Sequence, residues 1–115
     1  MFAHWKDLLR TSYQRGAALN RASPKLVAGF QALSAGQNGH GALDAKSKEL
    51  IALAVAVTTR CDSCIAVHAQ AARRAGVTEP ELADALGTAI ALKAGAAYGY
   101  ALRTLEAYEQ FAEPA

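Results

Sequence analysis

Cysteine and proline are scarce in this chain, at two and three residues of 115. The prolines stand at positions 24, 80 and 114, near expected helix starts and the C-terminus, so little interrupts helix formation. No stretch alternates apolar and polar residues as a half-buried strand would. A basic run with interleaved aromatics is also missing: Lys and Arg are scattered among Asp and Glu, and the net charge is only +2, so nucleic acid is not an expected partner. The longest apolar run, LIALAVAV (Leu50 to Val57), falls far short of the ~20 residues a membrane-spanning helix needs. The opening MFAHWKDLLR meets Lys6, Asp7 and Arg10 before any apolar run develops, which is not the pattern of a signal peptide. A glycine-rich nucleotide fingerprint is absent, so the chain is not expected to draw on NAD(P)H itself; no cofactor is expected. These absences describe a soluble, cytoplasmic, all-α chain, expected to fold as one domain over residues 1–115.

What the sequence does have is apolar content, 52%, much of it alanine. Periodicity and punctuation divide it into about six helices. The first, near His4 to Leu19, carries Trp5, Leu8, Leu9 and Tyr13 on one side. Ser23-Pro24 opens a second, striped with Leu26, Val27, Phe30 and Leu33. SAGQNGHGAL is a loop, and Asp44 caps a third helix over roughly Ala45 to Thr59 that is apolar all round from Leu50 onward, the signature of a fully buried helix. The fourth begins at or near Cys61 and ends at Gly76. Thr78-Glu79-Pro80-Glu81 has the capping-box form and starts a fifth, with Leu82, Leu86, Ile90 and Leu92, ending near Lys93. Gly95 separates it from a last helix in which Tyr98, Leu102, Leu105, Tyr108 and Phe111 are spaced for a core face. A domain this small, with so much apolar helix surface, is expected to bury the excess in a homo-oligomer.

Both cysteines lie in RCDSCIAVH, Arg60 to His68. At i and i+3 of a helix they stand about 5 to 6 Å apart, within disulfide range. The first turn also lowers thiol pKa, because unpaired N–H groups and the helix dipole stabilise a thiolate, and Arg60 is adjacent. His68, at i+4 from Cys64, shares its face and can act as its base. If the third and fourth helices form a hairpin turning near Thr59-Arg60, Glu49 comes within one turn of the level of His68. A carboxylate there needs a partner, and His68 is the obvious one.

The run LDAKSKELIALAVAVTTRCDSCIAVHAQAARRAGVTEPELADAL closely resembles the carboxymuconolactone decarboxylase superfamily, in its alkylhydroperoxidase D-like branch. The shared pattern is a Lys-Glu pair before a buried apolar helix, then CxxC, then His four residues on. The resemblance implies a compact all-helical subunit that assembles as a trimer or hexamer, and a peroxiredoxin-type peroxidase activity. It implies that Cys64 is the peroxidatic residue, that Cys61 resolves it to a disulfide and meets the reductant, and that Glu49 and His68 relay protons. A lipoyl group or a thioredoxin-like protein would be the dithiol reductant, and a hydroperoxide the substrate. The best-studied branch has a histidine just before the second cysteine, where this chain has Ser63.

Three rival readings stand beside this one. Cys61, Cys64 and His68 could hold zinc, with Glu49 or His40 as a fourth ligand, although no second cysteine pair exists. The protein could be a non-catalytic binding or assembly protein whose cysteines sense oxidation. Glu49 and His68 could instead be the acid and base of a decarboxylase or isomerase acting on a small lactone. His40 reads as an exposed loop residue. Tyr98 and Tyr100 read as core or interface aromatics.

Overall fold

The local signals for helix ends are realised in atomic detail in the computed structural model, which describes residues 1–38 and 41–112. His40, and with it the roles considered for it, lies outside the described residues. Asp44 accepts the Ser47 N–H at 2.8 Å and begins α3 (Ala45–Thr59). Thr78 and Glu81 close a reciprocal capping box at the start of α5 (Glu79–Gln110). Gly76, at φ +83°, ends α4 (Asp62–Arg74) in the left-handed conformation that glycine adopts without penalty. The N-terminal helices are α1 (Trp5–Ala22) and α2 (Pro24–Ala35), joined at Ser23, whose side chain makes no capping bond. The described residues contain no strand, and the chain is all-α.

Five helices form among the described residues where about six are expected. Gly95 does not end the fifth: α5 runs unbroken for 32 residues. A helical glycine costs roughly 1 kcal/mol against alanine, too little to break a helix flanked by alanines. Gly95 also lacks the positive φ that turns the chain at Gly76.

α3 and α4 form an antiparallel hairpin; α5 packs on α3, and α1 packs on both α2 and α4. The core is small. Leu53, Ala72 and Val77 are buried together, with Leu50 and Leu82 half-buried against them, so it sits where α3, α4 and the start of α5 meet. Lys46 Nζ pairs with Glu81 Oε2 at 2.8 Å across the first turns of α3 and α5. That ammonium, followed by the Thr78 N–H and hydroxyl, lowers the Glu81 carboxyl from the ordinary 4.5 to about 2. The Ser47 N–H lowers the Asp44 carboxyl in the same way. Lys48 Nζ donates to the Gln37 carbonyl and ties the loop after α2 to α3.

Full burial of α3 is not reached within one chain. Leu53 and Ala56 are buried, whereas Ile51 and Val55, on the other side of the helix, are about half exposed. Leu26, Phe30 and Leu33 of α2 are exposed, and so are Tyr98, Leu102, Leu105, Tyr108 and Phe111, which therefore form no core face in the single chain. The reason is topological: only α1 covers α2, and only α3 covers α5. No helix among the described residues is long and apolar enough to cross a membrane.

Candidate functional site

The turn between α3 and α4 sets the site. Thr58 and Thr59 hydroxyls donate back to the Val55 carbonyl at 3.0 and 2.8 Å, which satisfies an acceptor at the end of α3. Arg60 then takes φ +57°, and its N–H and that of Cys61 both reach the Ala56 carbonyl. This is the left-handed cap that usually carries glycine; an L side chain there costs roughly 1 kcal/mol. The reversal is tight, and it leaves Cys61 as the N-cap of α4.

Cys61 occupies the position usually held by Ser, Thr, Asp or Asn, and its sulfur does the capping work. Sγ accepts the Cys64 N–H at 3.2 Å. The Ser63 hydroxyl lies 3.6 Å from the same sulfur and donates to it. Cys61 and Cys64 are joined in a disulfide, with Cα atoms 5.2 Å apart. Both cysteines are half-buried and Ser63 is exposed, so the bond lies at the surface. The capping role of Cys61 is absent from the spacing argument, which places both thiols in the first turn without distinguishing them. The available signal was its position directly before Asp62, where a polar cap would be sought.

His68 stands one helical turn after Cys64 on α4. Its Nδ1 lies 2.7 Å from Glu49 Oε2 on α3, and the two side chains are 36% and 19% exposed. A carboxylate oxygen accepts, so Nδ1 donates to Glu49 and Nε2 is the ring nitrogen left for other chemistry. The hairpin thus brings together Glu49 and His68, nineteen residues apart in sequence. Along α4 the order is a disulfide at the N-terminus, then an imidazole oriented by a carboxylate.

Such an arrangement can do two things: exchange electrons through the disulfide, and accept or deliver a proton at Nε2. Among the described residues no group of three or more His, Cys, Asp and Glu is placed to hold a metal ion. Tyr98 and Tyr100 lie far along α5 and are exposed; Arg103 stacks over the Tyr100 ring at 5.2 Å.

Comparison with known proteins agrees with this architecture. Residues 24–107 match the model of the carboxymuconolactone decarboxylase family. An uncharacterized protein of Haemophilus influenzae is 54% identical over 108 residues, covering 94% of this chain and 96% of that one. Uncharacterized protein 4 in the cox locus of Paracoccus denitrificans is 40% identical over 91 residues, 79% of this chain and 82% of that one. Among solved structures, apo-lpg0406 of Legionella pneumophila, a carboxymuconolactone decarboxylase family protein, superposes with a TM-score of 0.73 at 36% identity, over 93% of this chain and 96% of that one. The chain belongs to the carboxymuconolactone decarboxylase family.

Proposed function

We propose that this protein is a thiol peroxidase that reduces hydroperoxides through the Cys61–Cys64 pair, acting in the reducing cytoplasm. The observation that carries the reading is the disulfide at the start of α4, one turn before an imidazole held by Glu49. A structural staple closing a loop of this size adds little stability, whereas a surface disulfide beside a proton acceptor suits turnover.

In the reduced protein, His68 Nε2 takes the Cys64 proton. The thiolate attacks the distal oxygen of the hydroperoxide; the O–O bond breaks, an S–O bond forms, and the alkoxide leaves as the alcohol after taking the proton back from His68 Nε2. Cys64 is now a sulfenic acid. Cys61 attacks its sulfur, the S–O bond breaks, and water leaves with the disulfide formed. Glu49 holds the ring of His68 in the orientation that leaves Nε2 for that proton, as the carboxylate of a triad does. A dithiol, in a lipoyl group or a thioredoxin-like protein, returns two electrons by exchange through a mixed disulfide and is itself oxidised to a disulfide.

Ser63 finds a place in this cycle. Its hydroxyl and the Cys64 N–H both point at Cys61 Sγ, so the sulfur best prepared to carry negative charge is that of Cys61. Cys61 is therefore the better leaving group, and the reductant attacks Cys64. This reverses the order that the resemblance implies for the reductive half.

The test is peroxide consumption with a small dithiol. The wild type is expected to turn over many times. Cys64→Ser should be inactive, and Cys61→Ser should accumulate a sulfenic acid at Cys64 that dimedone traps. A Cys64→Ser variant that stays fully active would favour lactone chemistry by Glu49 and His68 and end the peroxidase reading.

A further inference from the structure

Arg60 is the one residue other than glycine that takes a positive φ among the described residues, at +57°. It stands at the tip of the α3–α4 hairpin, directly before Cys61, where a left-handed cap ordinarily calls for glycine or asparagine. The conformation itself is used, because the Arg60 and Cys61 N–H groups close the end of α3 on the Ala56 carbonyl. The side chain is not what makes this turn. Glycine would make it with less strain.

Nor does the fold use the guanidinium. Arg60 is exposed, and its side chain has no hydrogen bond, ion pair or ring contact with any described residue. Other arginines have uses within the fold. Arg10 pairs with Asp7 at 2.8 Å, Arg103 lies over the Tyr100 ring, and Arg21, Arg73 and Arg74 stand in the last turns of α1 and α4, where a cation suits the helix dipole. At Arg60 two dipoles oppose each other. Its charge stands just past the C-terminus of α3, which favours it, and just before the N-terminus of α4, which does not. Asp62, two residues on, makes no ion pair with it.

What this side chain does have beside it is the disulfide. Cys61 is its neighbour in the chain, and the Cα atoms of Cys61 and Cys64 are 5.2 Å apart, a span shorter than an extended arginine side chain. Both cysteines are half-buried at the surface, so a thiol comes to them from solvent, past an exposed cation that the rest of the chain leaves unpaired. A strained residue that the fold does not need, placed at a reactive bond, points to the reaction.

We infer that Arg60 selects the reductant: its free guanidinium binds a carboxylate carried close to the attacking thiol, so that anionic thiols open the disulfide in preference to neutral or cationic ones. The reductant's thiolate attacks one cysteine sulfur, the S–S bond breaks, a mixed disulfide forms and the other cysteine leaves as a thiolate. The second thiol of a dithiol then attacks its own partner sulfur in the mixed disulfide and releases the remaining cysteine. The dithiol ends as a disulfide, and two electrons have passed to the cysteine pair. The carboxylate takes no part in the exchange and is only held. Its pairing with Arg60 is worth up to about fivefold, the ceiling for an exposed ion pair, and an ammonium in the same place is repelled, so the two together give about tenfold. The inference rests on the proposed redox cycle, in which an external thiol opens the disulfide.

Reduction kinetics on the intact oxidised protein test it with three monothiols: mercaptopropionate, mercaptoethanol and cysteamine, which carry a carboxylate, no charge and an ammonium. Samples are quenched with iodoacetamide, alkylated cysteines are counted by mass spectrometry, and rates are compared per thiolate. The readout is the rate ratio of mercaptopropionate to cysteamine. Any effect of Arg60 on the cysteines themselves changes all three thiols alike and cancels from that ratio. Arg60→Gln should lower the ratio about tenfold. Arg60→Lys, which keeps the charge, should hold it. Arg60→Gly should lose the ratio with no fall in melting temperature, which separates recognition from damage to the turn. Molar salt should bring the wild-type ratio toward that of Arg60→Gln. A ratio that Arg60→Gln leaves unmoved, or that Arg60→Lys lowers just as far, overturns the inference. Either result leaves the peroxidase reading standing, because peroxide turnover in Cys64→Ser decides that separately.

Discussion

Replacing Ser63 by alanine tests the polarity assigned to the disulfide. Cys61 Sγ receives two donors, the Cys64 N–H at 3.2 Å and the Ser63 hydroxyl at 3.6 Å. A hydrogen bond to a charged group is worth about 1.5 to 3 kcal/mol when shielded. Ser63 is exposed and its contact is long, so about 0.7 kcal/mol is a reasonable share, or half a pKa unit and a threefold change. The assay treats oxidised protein with a small monothiol and iodoacetamide together, then maps the cysteine peptides by mass spectrometry. The sulfur that leaves is alkylated and the sulfur attacked carries the monothiol. Alkylation is expected mainly at Cys61 in the wild type. In Ser63→Ala its preference over Cys64 should fall about threefold, and Ser63→Thr should restore it. In a Cys64→Ser background, the pH midpoint of Cys61 alkylation should rise by about half a unit on Ser63→Ala. Predominant alkylation of Cys64 in the wild type, or an unmoved midpoint, would refute the reasoning.

Other outcomes follow from the same geometry. His68→Ala should slow peroxide reduction by about a hundredfold, the usual worth of a general base, and Glu49→Gln by a smaller factor, with thermal melting checking that each variant folds. Because the folded Glu81 carboxyl is held at about 2 rather than 4.5, its contribution to stability is complete above the unfolded value and is lost as pH falls from about 4.5 toward 2. Glu81→Gln should therefore flatten that part of the stability–pH curve and leave neutral-pH activity intact. Leu53→Ala, at the centre of the core, should cost about 3 kcal/mol in denaturant unfolding. Thr78→Ala, which opens the capping box, should cost about 1 kcal/mol.

The contact between Glu49 and His68 was legible because hairpin geometry is stiff. Once Asp44, the turn at Thr59-Arg60 and the end at Gly76 are located, register along two antiparallel helices follows from the 1.5 Å rise, and only one carboxylate borders the apolar run at the right level. The two cysteines were legible as a bridgeable pair for the same reason. Their asymmetry was not. It depends on Arg60 entering the left-handed region, which no residue type at that position announces, and which turns Cys61 into a cap rather than a helical residue.

The helix boundary missed at Gly95 and the overstated burial of α3 and the last helix share one cause. Gly95 is expected to end a helix and the all-round apolar α3 to be fully buried, beside the expectation that a homo-oligomer takes up the surplus apolar surface. In the fold both are features of surfaces that the chain itself leaves uncovered. Gly95 and Gly99 interrupt nothing, a Cβ added to either would meet nothing within 4 Å, and Ile51 and Val55 lie across from Leu92 over an open groove. Patterning sets which side chains favour burial, not which of them the packing covers: Ile51, Val55 and Leu92 stay half exposed or more because α5 packs on α3 alone among the described helices.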